Sequence, residues 1–284
     1  MEVAQKTYIC CFWKICNMKE NIIRGLSGIM YVSILVVSIF FSEFAFTTLF
    51  LLFGLICLRE LQRLLHLKSL LGYALMIGLF YLFSYLRFSP NATLVLLLIT
   101  IFVNLFLVKD LMLVNKIPLF EKKKYVIIIF YLIASMIFLT LIPSYTGDFT
   151  PELVVGVFSL IWINDTFAYL VGKNFGRKKL FERISPKKTV EGFLGGLIFT
   201  AIAGYLVYYF TGLLDLHTWL GMAIILSVFG TLGDLIQSKF KRQAGVKDSG
   251  RLMPGHGGLF DRLDSIIFAS PFVYAYLQFL NYVS

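Results

Sequence analysis

Nine long apolar runs dominate the sequence and leave few folds open to it. Each run holds about 15 to 21 residues with few charges, and a helix needs about 20 apolar residues to cross a hydrocarbon core of about 30 Å. The runs show neither the amphipathic spacing of soluble helices nor the strict alternation of membrane-barrel strands. We therefore predict an all-α fold, a polytopic membrane bundle of about nine transmembrane helices, with spans at 27–41, 44–58, 69–86, 92–108, 125–143, 152–172, 191–210, 217–237 and 264–283.

The first two spans are the shortest, and only Ser42 and Glu43 separate them. A tight helical hairpin and a re-entrant pair both fit this spacing, so the number of spans could differ by one.

The composition excludes a soluble globular protein but does not identify a ligand. Of the 284 residues, 58% are hydrophobic and only 15% are charged, and the mean hydropathy is +0.82. The net charge of +10 is compatible with an anionic partner such as a membrane surface, a nucleotide or a lipid phosphate. Cytoplasmic loops of membrane proteins are basic in any case, so this charge decides little. We expect the lipid bilayer as a partner and no nucleic acid.

The positions of the basic residues predict an orientation. Of the 26 Lys and Arg residues, all except Arg87 fall in alternate connections, which would face one side of the membrane. Because cytoplasmic loops carry the excess of Lys and Arg, we expect a cytoplasmic amino terminus, an outward carboxyl terminus and an odd number of spans. The first 17 residues do not resemble a cleaved signal peptide, and Met18 is an alternative start. We expect a bacterial inner (cytoplasmic) membrane, with an organelle membrane as the alternative.

We divide the chain into three regions. Residues 1–26 are predicted to be a cytoplasmic amino-terminal segment, 27–150 the amino-terminal transmembrane helices, and 151–284 a catalytic transmembrane region. The predicted outward loops are short, whereas the inward loops at 173–190 and 238–263 are long and polar. An active site is therefore expected at these two loops, facing the cytoplasm.

Four acidic residues near these loops are the first sign of chemistry. Asp165 and Asp234 lie inside predicted spans, Glu191 and Asp264 open the next ones, and the predicted orientation brings all four to one depth. Acids are expensive inside a membrane, so such a group indicates a functional cavity rather than lipid-facing positions. Carboxylate oxygens suit magnesium, whereas zinc fits poorly because the histidines are scattered and no cysteine lies near the loops.

The first basic loop places cations beside the start of a helix. Ser185, Lys187, Lys188 and Thr189 precede the span that begins at Glu191. Free backbone N–H groups and the helix dipole attract phosphate at such a position. Basic residues that only mark the inward side are the alternative explanation. The order of residues is not that of a Walker A loop.

The second loop interleaves acids, cations and glycines. Asp234, Ser238, Lys241 and Arg242 would share one helix face if the helix continued beyond the membrane. The later residues Asp248, Asp261 and Asp264 alternate with Lys247 and Arg262, and His256, Gly257 and Gly258 lie between them. Such interleaving favours binding of a metal and a polyphosphate, although a simple glycine turn would also explain the segment 254–258.

At these residues the sequence resembles the phosphatidate cytidylyltransferase family, also called CDP-diacylglycerol synthases. The family pattern is a Ser followed by Lys-Arg, a later Lys-Asp, Pro-x-His-Gly-Gly and Asp-Arg-x-Asp, and it corresponds here to Ser238, Lys241, Arg242, Lys247, Asp248, Pro254, His256, Gly257, Gly258, Asp261, Arg262 and Asp264. A second block is similar at Asn164, Asp165, Ala168, Tyr169, Gly172 and Gly176, and continues through 184–192. The specific match spans about 165–265, and the amino-terminal half shares only its hydrophobic, multi-spanning character.

The resemblance implies a magnesium-dependent reaction in which CTP and phosphatidate give CDP-diacylglycerol and pyrophosphate. It assigns the metal to Asp234 and Asp261, and a second cation, monovalent or divalent, is compatible. The remaining implied site residues are Asp165, Asp248 and Asp264 as further acids, Lys241, Arg242, Lys247 and Arg262 as phosphate-binding cations, His256 as a catalytic residue, and Ser185, Lys187, Lys188, Thr189, Ser238, Gly257 and Gly258 as substrate-binding residues.

Two alternatives stay open at this point. A CTP-dependent polyprenol or phytol kinase would move the γ-phosphoryl group instead of the cytidylyl group. An ion-coupled transporter would also carry acids within the membrane, although its acids should extend through the bundle rather than collect at one rim. A homodimer is compatible with the sequence.

Overall fold

The computed structural model describes residues 25–114, 116–253 and 257–283. These residues form nine helices and one short β-hairpin, so the all-α polytopic prediction is confirmed apart from the hairpin. Met18 and His256 lie outside the described residues. In chain order the elements are α1 (Gly25–Phe41), α2 (Glu43–Leu64), α3 (Leu70–Tyr85), α4 (Pro90–Leu113), α5 (Glu121–Ser144), α6 (Pro151–Phe175), β1 (Lys179–Phe181), β2 (Ser185–Thr189), α7 (Val190–Thr211), α8 (Leu216–Gln243) and α9 (Phe260–Val283).

Each predicted span corresponds to one helix. In the described part of the chain, seven helices are long and apolar enough to cross a membrane, and the shorter apolar helices α1 and α3 account for the other two predicted spans. A single residue, Ser42, separates α1 from α2, and its side chain accepts a hydrogen bond from the Ala45 N–H as the N-cap of α2. The orientation of the bundle in the membrane stays a prediction.

Helices α5 and α9 form the centre of the bundle, and most of their residues are buried. Their apolar side chains also pack with α8. The Tyr131 ring of α5 contacts Phe240 of α8 edge-on and Phe268 of α9 at a tilt, each with ring centres about 6 Å apart. Helices α6 and α7 pack outside this centre through small residues. A Cβ at Gly195 would strike Val171, and one at Gly196 would strike Asn164, so the two backbones approach closely.

The predicted loop at 173–190 is shorter and more ordered than the sequence suggests. Helix α6 continues to Phe175, and β1 pairs antiparallel with β2. The Glu191 carboxylate accepts hydrogen bonds from the backbone N–H groups of Arg177 (3.0 Å) and Lys178 (3.1 Å), and Thr189 caps α7 by accepting from the Gly192 N–H. Glu191 therefore fixes the hairpin and does not line the cavity described below.

The second predicted loop, 238–263, is also shorter, because α8 continues to Gln243 and α9 begins at Phe260. Buried Lys239 donates hydrogen bonds to the carbonyls of Asp110 (2.7 Å) and Val114 (2.6 Å) at the end of α4. The Gln243 amide exchanges two hydrogen bonds with the backbone of Ile117. The amino-terminal half thus holds the end of α8 in place.

Candidate active site

A polar cavity of about 740 Å³ opens between α6, α7, α8, α9 and the hairpin. It lies at the end of the bundle that carries the two basic connections, which we call the basic end. The predicted site residues that line it are Asp165, Ser185, Lys187, Lys188, Thr189, Asp234, Lys241, Asp248, Asp261, Arg262 and Asp264. Two blocks that are separated in sequence therefore line one cavity.

Asp234 joins the two blocks directly. Its Oδ2 atom lies 2.6 Å from the Lys188 Nζ atom, and its Oδ1 atom accepts a hydrogen bond of 3.1 Å from Ser238 one turn later on α8. About 30% of each charged side chain remains exposed, 31% for Asp234 and 27% for Lys188. Both groups are therefore accessible to a ligand in the cavity.

Asp261 is held more tightly, at the first turn of α9. Its Oδ1 atom pairs with the Lys241 Nζ atom at 2.8 Å. Its Oδ2 atom accepts from the Ser249 N–H (2.8 Å) and the Gly258 N–H (3.0 Å), and it lies 3.0 Å from the Ser249 hydroxyl oxygen. These contacts connect Asp261 to both ends of the glycine-containing loop.

Asp165 and Asp264 add two further carboxylates to the same cavity. Asp165 is exposed to the cavity and receives one long hydrogen bond of 3.4 Å from Asn164. Asp264 is buried, its Oδ1 atom accepts from the Ser265 N–H at 2.8 Å, and it is close enough to Asp234 and Asp165 to feel their charge. Like charges this near to each other favour binding of a cation.

Glu60, near the end of α2, is a structural residue of the site that the sequence motifs do not reveal. It is 6% exposed and accepts hydrogen bonds from the Ser249 hydroxyl (2.6 Å), the Phe260 N–H (3.0 Å) and the Leu259 N–H (3.2 Å). A Cβ at Gly250 or Gly258 would collide with its carboxylate. In the sequence Glu60 is one acid beside Arg59 in the short connection that follows the predicted span 44–58, and such a position does not indicate its partners.

Several predicted site residues do not line the cavity. Arg242 is exposed and donates to the Val246 carbonyl at 3.1 Å, and Lys247 lines a separate cavity next to the site. Ser238 acts through Asp234, with which it shares the hydrogen bond described above. Gly257, with φ of 91°, and Gly258 shape the backbone beside Asp261 instead of lining the cavity.

The cavity wall also contains cations and hydroxyl groups that are not among the predicted site residues. Lys173 and Lys179 add positive charge, and Tyr169 and Thr231 add hydroxyls. Lys173 and Lys179 belong to the same basic segment as Lys187, but a run of basic residues does not show which side chains turn inward.

The carboxylate oxygens in the cavity are the kind of ligand that a magnesium ion prefers. Five aspartates line one cavity, and magnesium is commonly held by one or two carboxylates together with water and substrate phosphates. Among the described residues no group of three acidic, histidine or cysteine side chains is spaced to hold a metal alone. Lys188 and Lys241 currently pair with the two aspartates assigned to the metal, so a cation there would replace an ammonium group.

Comparison with known proteins agrees with this architecture. A family model described as the cytidylyltransferase family matches residues 22–280, which include every described helix almost completely, and the chain therefore belongs to this family. This membership confirms the resemblance predicted from the motifs.

The chain is also similar to individual bacterial proteins. It is 50% identical over 120 residues to the phosphatidate cytidylyltransferase of Staphylococcus aureus (strain COL) and 49% identical to that of Staphylococcus haemolyticus (strain JCSC1435). In both cases the alignment covers 42% of this chain and 46% of the relative. The chain thus spans about half the length of the curated relatives it matches.

Proposed function

We propose that this protein transfers the cytidylyl group of CTP to phosphatidate and forms CDP-diacylglycerol and pyrophosphate. The observation that carries the proposal is the single cavity in which five aspartates face the cations Lys187, Lys188, Lys241 and Arg262 at the basic end of the bundle. Family membership and the names of the relatives support the same reaction. A volume of about 740 Å³ is within the usual range for a small-molecule site.

The reaction requires no nucleophile from the protein. A phosphate oxygen of phosphatidate attacks the α-phosphorus of CTP, the bond from that phosphorus to the bridging oxygen breaks, and pyrophosphate leaves with the electron pair. The protein has to hold two anions together and stabilise the charge on the equatorial oxygens and the leaving group. Lys188 and Lys241, which both line the cavity and each pair with an aspartate, would serve this task.

Magnesium belongs to this proposal. We assign it to Asp234 and Asp261, and the freed Lys188 and Lys241 would then contact substrate phosphates. When bound, the ion would polarise phosphoryl oxygens and neutralise developing charge.

We also propose that the cavity faces the cytoplasm in a bacterial inner membrane. The basic end would lie on the cytoplasmic side under the positive-inside rule. CTP would enter from water, and phosphatidate from the lipid interface.

We expect purified protein in detergent to move the label of CTP labelled at its α-phosphate into lipid when phosphatidate and magnesium are present. Removal of the metal with EDTA should lower the rate at least about 100-fold, because two like-charged substrates then approach without a divalent cation. Thin-layer chromatography of the lipid and aqueous phases measures both results.

Addition of excess magnesium to the EDTA-treated sample is the control and should restore the rate. Label that stays in water-soluble CDP, while an added isoprenoid alcohol becomes phosphorylated, would contradict cytidylyl transfer. Full activity in EDTA would contradict only the proposed role of magnesium and not cytidylyl transfer itself.

Replacement of Lys188 by Gln should lower kcat/KM for CTP about 10- to 100-fold, because one cation of a desolvated phosphate site is lost. Lys178→Gln is the matched control, since Lys178 is exposed and does not line the cavity. Steady-state kinetics at varied CTP concentration measures the effect. Equal values for the two variants would remove Lys188 from substrate binding.

A further inference from the structure

A second cavity, of about 860 Å³, lies beside the candidate active site. Its walls are the last turns of α2 and the first half of the α8–α9 connection. Among the described residues Asp248 is the only one that lines both cavities. We call the second one the basic cavity, because Arg59, Arg63, Lys247 and Arg251 all line it.

The described residues leave most of the positive charge in the basic cavity unpaired. Within 25–114, 116–253 and 257–283, none of its four cations forms an ion pair or a side-chain hydrogen bond. Of the two acids in its wall, Glu60 is buried and occupied by its three hydrogen bonds to the loop. Among the residues that the structure describes, this leaves Asp248 to offset four positive charges. An anionic ligand would relieve their mutual repulsion.

Their arrangement differs from a simple excess of basic residues at a membrane surface. Arg59 and Arg63 are one helical turn apart on α2 and so share a face, while Lys247 and Arg251 approach from a segment far away in sequence. The four therefore surround a concave space. Arginine also presents paired N–H donors that match the oxygens of a phosphate group.

The remaining walls suit a phosphate that is attached to a less polar group. Ile56, Leu64 and Leu252 supply apolar surface below the cations. An adjoining groove of about 760 Å³ shares Arg59 and Arg63 with the basic cavity and adds Lys68 and Tyr73. The positive surface thus continues along the end of α2.

We propose that the basic cavity is a second anion site, separate from the active site, that binds a phosphate-bearing ligand through Arg59, Arg63, Lys247 and Arg251. Two sources share this chemistry, the headgroup of an anionic membrane lipid and a free phosphate compound. Lys247 lines only the basic cavity, and the next residue, Asp248, lines both cavities, so a ligand held by Lys247 contacts the segment that forms one wall of the active site. The site goes beyond the proposed reaction and does not depend on it.

The test measures binding to the full-length protein in neutral detergent through the increase in melting temperature, which follows ligand concentration by linkage. One arm titrates dioctanoyl phosphatidylglycerol and the other titrates inorganic pyrophosphate. The test variant is Arg59→Gln/Arg63→Gln. Its matched control is Lys116→Gln/Lys122→Gln, which removes two exposed cations that line neither cavity.

At about 1 kcal/mol per cation, loss of both arginines should weaken binding about 30-fold in at least one arm, and the control should match the wild type. An effect in the lipid arm identifies a lipid headgroup, and one in the pyrophosphate arm a free phosphate compound. Pyrophosphate bound in the active site shifts the melting temperature of the test variant and of the control equally, so this contribution cancels in the comparison. Arg251→Gln, on the opposite wall, should weaken the same arm about fivefold and decides the matter if the double variant does not fold. Equal affinities of the variants and the control in both arms would overturn the proposal, and cytidylyl transfer, measured separately, would be untouched by that result.

Discussion

Replacement of Asp234 by Asn is expected to lower kcat at least about 100-fold without unfolding the protein. The variant keeps the shape of the side chain and the hydrogen bond with Ser238, but it removes the charge that pairs with Lys188. A metal held by the remaining carboxylate, Asp261, would lack one of its two proposed ligands. Loss of a single preorganised charge in an active site commonly costs 10²- to 10³-fold in rate.

Stability should respond differently from activity in this variant. Asn at 234 leaves Lys188 without its partner, but it also ends the repulsion between Asp234 and its neighbours Asp165 and Asp264. The two effects oppose each other, so we expect little change in the melting temperature. Active-site charges of this kind often lower stability in return for function.

Asp215→Asn is the matched control for this prediction. Asp215 lies just before the opposite end of the same helix α8, is exposed, and makes no capping hydrogen bond with its side chain. The control should retain wild-type kcat and melting temperature. Wild-type activity in purified Asp234→Asn would remove Asp234 from the mechanism.

The sequence predicts the helices well because each apolar run is a local property of the chain. The ends of the helices are less predictable, since they depend on distant partners. The predicted span of α8 ends at Gln237, and the helix itself continues to Gln243, where Lys239 binds carbonyl groups at the end of α4. No periodicity within α8 contains that information.

The same distinction applies to the site. The motifs place Asp234 and Lys188 in one cavity because each belongs to a compact block of functional residues. The motifs do not predict the position of Lys247, which is next to Asp248 in sequence but lines the basic cavity. The direction of a loop side chain is set by the contacts of the whole loop, and one of these contacts comes from Glu60 on α2.

Replacement of Glu60 by Gln is expected to loosen the loop between α8 and α9 and to lower kcat about 10- to 100-fold. The carboxylate accepts three hydrogen bonds, from the Ser249 hydroxyl and from the N–H groups of Leu259 and Phe260. A Gln side chain offers one oxygen and one NH2 group, so at least one buried donor would face another donor. An unsatisfied buried group of this kind costs about 1–3 kcal/mol.

The loss should reach the active site through Asp261. The Ser249 hydroxyl donates to Glu60 while its backbone N–H donates to Asp261, and Gly258 packs on Glu60 while its N–H group binds Asp261. A loop that moves away from Glu60 therefore also moves the donors that orient Asp261. Under this prediction Glu60 is a positioning residue, which acts on the reaction through the loop although it does not line the active-site cavity.

Hydrogen exchange separates this role from a general loss of stability. We expect faster exchange of the amides in 249–260 in Glu60→Gln, with unchanged protection in α5 and α9. Glu121→Gln is the matched control, because Glu121 is exposed and makes only a 3.8 Å ion pair with Lys124. Faster exchange throughout the bundle would show that Glu60 serves folding in general, and unchanged exchange with full activity would show that the loop does not need it. Exchange confined to the loop, together with the fall in kcat, would establish that the amino-terminal half of the bundle sets the geometry of a site whose motifs all lie in the carboxyl-terminal half.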